Sequence, residues 1–346
     1  MYRVGVYGNF GGGRELFDGQ TVKTKTITEE LISNFGLNNV IQVDTYRWKR
    51  NPLNLLIHCF TIFRKCENII ILPAQNGVKL FVPFFSILNK IFRRRLLYVV
   101  VGGWLPEFVE DRKWLLKCLY NIDHIFVETS SMQKKLSDLG LKHVSILPNF
   151  KKIEIVNKNE LSNSYTRPYK LCTFSRVTKE KGIEDAINVV QKINTDYGQH
   201  IYTLDIYGQI DENYKEKFEE IISHAPSYIK YKGTVPYDKV VEVLKDYYLL
   251  LFPTYYAGEG FAGTLIDAFA SGLPVVASDC RYNSEIVKDK STGLIFPTHD
   301  NVQFEQRLLS VYKKEIDIIP MKYQCLLYAA HFDSKKVIRT LIRHIK

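Results

Sequence analysis

Paired cysteines are missing. Six Cys residues (Cys59, Cys66, Cys118, Cys172, Cys280 and Cys325) are scattered through the chain without a Cys-x-x-Cys spacing. That excludes a zinc ribbon or a redox pair and leaves reduced thiols in a cytosolic protein as the expectation. Long apolar runs are also absent. The most apolar stretch, Leu80 to Phe92, has 13 residues and contains Pro83, Asn89 and Lys90, against the ~20 that a membrane-spanning helix needs. The opening Met1-Tyr-Arg-Val-Gly-Val-Tyr-Gly8 lacks the charged head and long apolar core of a secretory signal, so a cytoplasmic protein is expected. No repeat at a fixed period occurs, which excludes a solenoid or propeller.

What is present is an ordinary globular composition, 46% hydrophobic and 24% charged, which excludes disorder. Lys and Arg number 47 against 37 Asp and Glu, a net charge of +10. That surplus favours anionic company: phosphates, nucleic acid or an acidic lipid face. Nucleic acid is not expected as a partner, because charge alone points to it and no recognisable module accompanies the charge.

Short β-type runs alternate with segments of helical period. Arg3 to Tyr7, Val40 to Asp44, Asn68 to Leu72, Leu96 to Val101, His124 to Glu128 and Val144 to Leu147 read as strands of one unit. Leu171 to Phe174, Tyr202 to Tyr207, Ile229 to Tyr231, Leu249 to Phe252, Pro274 to Ala277 and Leu294 to Phe296 read as strands of a second. Near-continuous apolar strands separated by helices predict an α/β protein of two doubly wound, Rossmann-like parallel-sheet domains facing across a cleft. The expected division is residues 1–150, a polar linker over 151–169, residues 170–325, and a C-terminal helix over 326–346 packing back on the N-terminal domain. Open sheets of this kind bind ligands beyond the carboxyl ends of their strands, so chemistry is sought in the loops that follow them.

Three such loops stand out. After the first strand comes Gly8-Asn-Phe-Gly-Gly-Gly-Arg14, where Gly12 and Gly13 would let backbone N–H groups approach a ligand phosphate, although the spacing fits neither a dinucleotide fingerprint nor a P-loop. Ser175-Arg-Val-Thr-Lys-Glu-Lys-Gly182 opens the second unit and places Arg176 and Lys181 across a strand-to-helix turn, a pair suited to a diphosphate. Phe252 to Asp279 is the richest. A strand delivers Gly258-Glu259-Gly260-Phe261-Ala262-Gly263-Thr264, a helix starts near Thr264, and Ser271-Gly272 stops it. The start of that helix is an anion site, and the carboxylates of Glu259 and Asp267 can accept hydrogen bonds from sugar or ribose hydroxyls.

Gly-Glu-Gly-Phe, an acidic residue eight positions after Glu259, and Ala-x-Ala-x-Gly-x-Pro-Val-Val-Ala-Ser-Asp together resemble the signature of the family 4 retaining glycosyltransferases. Ser-Arg-Val-Thr-Lys-Glu-Lys-Gly is similar to that family's phosphate-binding turn. Ser145-Ile-Leu-Pro-Asn149, Leu204-Asp-Ile-Tyr-Gly208 and Ser284-Glu285-Ile-Val with Thr292-Gly293-Leu-Ile agree in order. The resemblance covers about residues 145 to 297.

It implies the GT-B fold and a retaining, hexosyltransferase-like enzyme of polysaccharide synthesis. Such an enzyme moves a sugar from a nucleotide-sugar donor to a glycan or lipid-linked acceptor. Arg176, Lys181 and Glu259 would be the catalytic residues. Gly12, Gly13, Gly208, Val235, Gly260, Phe261, Ala262, Gly263, Thr264 and Asp267 would bind the donor, Val235 within the segment Tyr231 to Val235 that lines the base pocket. Asp267 stands where the family usually has Glu. On the acceptor side, Trp104 and Glu107 occupy the region where the family often places a histidine. No Asp-x-Asp occurs, so no metal is expected, and no cofactor beyond the nucleotide-sugar co-substrate. Phe81 to Phe92 followed by Arg93-Arg-Arg95 suggests peripheral contact with an anionic membrane surface at the inner face of the plasma membrane. A nucleotide-sugar epimerase of the same fold and a non-catalytic nucleotide-sugar-binding partner subunit are the alternatives.

Overall fold

The computed structural model describes residues 2–14, 18–50, 52–162 and 164–346. The chain divides into two units, residues 1–152 with 332–346, and residues 153–331.

Unit 1 is built on β1 (Tyr2–Gly8), β2 (Val40–Asp44), β3 (Cys66–Ile71), β4 (Arg95–Val99), β5 (His124–Val127) and β6 (Val144–Ile146). They form one parallel sheet in the order β2-β1-β3-β4-β5-β6. Both faces of this sheet are covered, which is why its central strands are runs such as Ile69-Ile-Ile71 with no exposed surface. One core joins Val4, Val6, Ile70, Leu97 and Phe126 to Ile27 and Leu31 of the helix Gly19–Phe35 and to Val337, Ile338 and Leu341 of the C-terminal helix Ser334–Ile342. Backbone bonds secure that return: Lys151 N–H donates to Phe332 O at 3.2 Å and Ser334 N–H to Lys151 O at 2.9 Å. Ser334 Oγ donates to Glu30 Oε1 at 2.6 Å.

Unit 2 contains β7 (Tyr169–Phe174), β8 (Tyr202–Tyr207), β9 (Ile229–Gly233), β10 (Leu249–Phe252), β11 (Val275–Ser278) and β12 (Gly293–Phe296). The parallel order is β12-β11-β10-β7-β8-β9. The sheet therefore grows outward in both directions from the β7/β10 pair, and that reversal makes a crevice at the carboxyl ends of these two strands. Among the described residues no helix is long and apolar enough to cross a membrane.

Candidate active site

The loops that follow β7 and β10 meet over the reversal point. Tyr255 N–H donates to Glu180 O at 2.8 Å. Gly182 has φ +69°, and a Cβ there would lie 2.2 Å from Pro253 O, so this close approach requires glycine. The constraint is tighter at Gly208, after β8: φ is +136° and a Cβ would sit 1.7 Å from Ser175 O. Tyr231 Oη holds the same turn from β9 by donating to Gly208 O at 2.8 Å.

This packing brings Lys181 Nζ to 2.5 Å from Glu259 Oε2, with their side chains only 11% and 8% exposed. Thr254 Oγ1 donates to the same carboxylate oxygen at 3.0 Å. The Lys181 ammonium also lies over the rings of Tyr256 and Phe252, 5.3 and 5.7 Å from their centroids. A buried ion pair is tolerable because each charge has close partners, and the aromatic faces add cation–π attraction. Arg176 is exposed, and among the described residues its guanidinium makes no hydrogen bond or ion pair. Cys280 lies against this site, its Sγ 3.8 Å from Tyr256 O. Burial, reinforced by the negative charge of Glu259, pushes its thiol up to about 11. It is therefore held protonated and is no nucleophile.

Glu259 leads through the buried Gly260 and Phe261 into the helix Gly263–Ala270, whose cap residue Ala262 makes no side-chain hydrogen bond to the first turn. The positive end of the helix is thus left without a side-chain cap. Thr264 is half-buried in that first turn, and Asp267, one turn on, is buried. Val235 is half-buried beyond β9.

In unit 1, Asp44 organises the glycine loop: its Oδ1 accepts from the amides of Phe10 (2.9 Å) and Tyr46 (2.8 Å), and its Oδ2 from Gly12 (2.8 Å). Gly12 has φ +59° and a Cβ there would meet the Tyr46 ring at 2.4 Å, while around Gly13 the space is open. The missing side chain at Gly12 therefore serves contact with Tyr46. Trp104 is buried and its indole N–H donates to Val101 O at 2.8 Å. Glu107 pairs with Lys135 at 2.6 Å. Beyond β1, β2 and β3 a cavity of about 510 Å³ is lined by Asn9, Tyr46, Arg47, Trp48, Lys49 and Asn76, among others, and among the described residues no carboxylate lines it.

Thr254 and Tyr256, which touch the Lys181–Glu259 ion pair, carry no motif of their own. Their only sequence signal is position inside the Phe252-Pro-Thr-Tyr-Tyr run before the acidic loop. Among the described residues no group of three or more metal-ligating side chains occurs.

Two doubly wound units of this kind in one chain define the GT-B class. HepE of Anabaena, solved with UDP, matches with a TM-score of 0.72 at 14% identity, covering 99% of this chain and 99% of that chain. Sucrose-phosphate synthase of Thermosynechococcus elongatus matches with a TM-score of 0.76 at 14% identity, covering 99% and 98%. Residues 157–325, just under half of the chain, match the family glycosyl transferases group 1. The GtfA subunit of a UDP-N-acetylglucosamine–peptide N-acetylglucosaminyltransferase of Streptococcus agalactiae is 29% identical over 231 residues, 63% of this chain and 44% of that protein. The amylovoran biosynthesis glycosyltransferase AmsK of Erwinia amylovora is 25% identical over 166 residues, 47% and 40% respectively. The chain thus spans less than half the length of these curated relatives.

Proposed function

We propose that the protein is a retaining glycosyltransferase that moves a sugar from a nucleotide-sugar donor in unit 2 to a hydroxyl of a glycan or lipid-linked acceptor in unit 1, in cell-surface polysaccharide synthesis and without a metal ion. The observation that carries this reading is the buried Lys181–Glu259 pair at the β7/β10 reversal, beside a helix start without a side-chain cap. Negative charge grows on the departing nucleotide diphosphate as the sugar becomes oxocarbenium-like, so the useful groups are cations and amide dipoles already aimed at that charge. Arg176, Lys181 and the amides of Gly263 and Thr264 are such groups. A diphosphate would draw Lys181 from Glu259 and leave that carboxylate to accept from the sugar hydroxyls. Asp267 grips the ribose, and a leaving phosphate oxygen takes the proton of the acceptor hydroxyl.

The relatives support the donor class in their names: UDP-N-acetylglucosamine for GtfA, and UDP or UDP-glucose in the HepE complexes. Amylovoran biosynthesis supports the polysaccharide role. The unit 1 cavity, lined by aromatic rings and the cations Arg47, Lys49 and Arg50, suits an acceptor bearing a phosphate. UDP is expected to raise the melting temperature by mass action. Arg176→Ala, Lys181→Ala and Glu259→Ala are each expected to cut turnover of a UDP-sugar about 100-fold or more, the scale of one lost electrostatic stabiliser. Near-wild-type rates in all three would refute the assignment. Donor binding without turnover would favour a non-catalytic partner subunit, and conversion of the donor sugar without acceptor an epimerase.

A further inference from the structure

Two helices of unit 1, Pro52–Lys65 and Gln75–Phe92, are apolar on two faces. Leu55, Cys59, Ile62 and Phe63 of the first, and Val78, Phe81, Phe85 and Leu88 of the second, are buried against the sheet. Leu53, Ile57 and Phe60, and Leu80, Ile87 and Ile91, point the other way and are 47% to 73% exposed. Their spacings of three, four and seven residues place them in an outward stripe on each helix. The stripes join where the rings of Phe60 and Phe92 meet at 5.7 Å. The adjoining helix Lys113–Leu119 adds exposed Trp114. A contiguous outward apolar surface of this kind calls for an occupant.

Charge identifies it. Between residues 45 and 106 there are ten Lys and Arg and one acidic residue, Glu67, so nearly all of the chain's net charge of +10 lies in the segment that carries the patch. Arg64, Lys65, Lys79, Lys90 and Arg93 are exposed on or beside these two helices. Arg94 and Arg95 turn inward instead, Arg94 Nε to Phe63 O at 2.8 Å and Arg95 Nε to His344 O at 3.2 Å. A second copy of the chain would set this cationic surface against itself and be repelled. Long aliphatic side chains with one Trp and a ring of Lys and Arg match the hydrocarbon boundary and headgroups of an anionic lipid leaflet.

We propose that unit 1 docks on an anionic bilayer through the outer faces of Pro52–Lys65 and Gln75–Phe92, lying in the interface without crossing it. This rests on the glycosyltransferase reading only for its purpose, which is to bring a lipid-linked acceptor to the enzyme. The same helix that carries Leu80, Ile87 and Ile91 places Asn76 and Phe81 in the lining of the unit 1 cavity, so docking through this helix would hold that cavity close to the leaflet.

The test is co-sedimentation of the full chain with vesicles of phosphatidylcholine alone and with one-third phosphatidylglycerol. Binding is expected to the mixed vesicles only and to weaken as salt is raised. I87E/I91E is expected to lower the bound fraction about tenfold or more, since both apolar anchors are lost. K90Q/R93Q is expected to reduce binding to mixed vesicles while leaving the apolar stripe intact. All four positions are exposed, so melting temperatures and the shift with UDP stay as in the wild type. That separates a failure of docking from a failure of the donor site. No sedimentation with mixed vesicles, binding unchanged in both variants, or a dimer that I87E/I91E dissociates would overturn the proposal.

Discussion

Lys23, Lys181 and Lys322 each hold a charge largely away from water, and they do not all meet the cost in the same way. Lys23 pairs with Glu128 at 2.6 Å in unit 1 and Lys181 with Glu259 in unit 2. Lys322, in the helix Ile318–Ala329, has no hydrogen-bond partner for its Nζ among the described residues and lies 5.3 Å from the centroid of the Tyr165 ring. Burial pushes its ammonium down from the ordinary 10.5 to about 8. At pH 7 the fold must hold that charge, and the cost shrinks as pH rises from about 8 to the unfolded value. Lys322→Met should therefore stabilise the protein by about 1–3 kcal/mol at pH 7, with the gain largely gone by pH 10.5. Urea unfolding at the two pH values reads it directly, and destabilisation at pH 7 would mean that the ring contact outweighs the desolvation.

Among the elements, the central strands such as Cys66–Ile71 and Leu249–Phe252 were legible because a parallel strand covered on both faces is apolar almost throughout, and the edge strands by their β-type residues. Val40–Asp44, Tyr202–Tyr207 and Leu249–Phe252 have the bounds that their β-type runs predict. The helix Gln75–Phe92 was only half visible. Its apolar part from Leu80 marks it, but its first turn is polar and Pro83 sits inside it, a residue that removes an interior hydrogen bond. At the start of β5, His124 packs its ring 3.8 Å from that of His344 and shares a 2.8 Å hydrogen bond with Ser145 Oγ. Burial, with His344, Arg95 and His143 nearby, pushes His124 down from 6.5 to about 4. The native state keeps it neutral while the unfolded chain takes up a proton. Stability from this group is thus intact above pH 6.5 and lost as pH falls toward 4. The fall in melting temperature over that interval should be smaller for His124→Phe than for the wild type; equal slopes would remove His124 as the cause.

At the scale of the molecule, residues 332–346 belong to unit 1 although all of unit 2 precedes them in the chain. Asn68 binds Lys346 through both amide atoms, Oδ1 accepting at 2.9 Å and Nδ2 donating at 3.4 Å. Leu341 has no exposed surface. Leu341→Ala should cost about 2–5 kcal/mol, and the loss should fall on unit 1, leaving the UDP-induced shift in melting temperature unchanged. Calorimetry with and without UDP checks both parts.

The amino-acid sequence by itself determined the alternation of strands and helices, the order of the landmarks from Ser145 to Ile295, and the concentration of charge before residue 106. These are local or compositional properties, carried by neighbouring residues whatever the chain does elsewhere. Only the tertiary structure decided that Lys181 meets Glu259 across 78 residues of chain, that Thr254 donates into the same carboxylate, and that Asp44 and Tyr46 shape the glycine loop. Folding likewise turned Ile87 and Ile91 outward and Arg94 and Arg95 inward. Such pairings depend on which loops a sheet's strand order brings together and on which helix face its packing leaves over, and neither is written in any single stretch of residues.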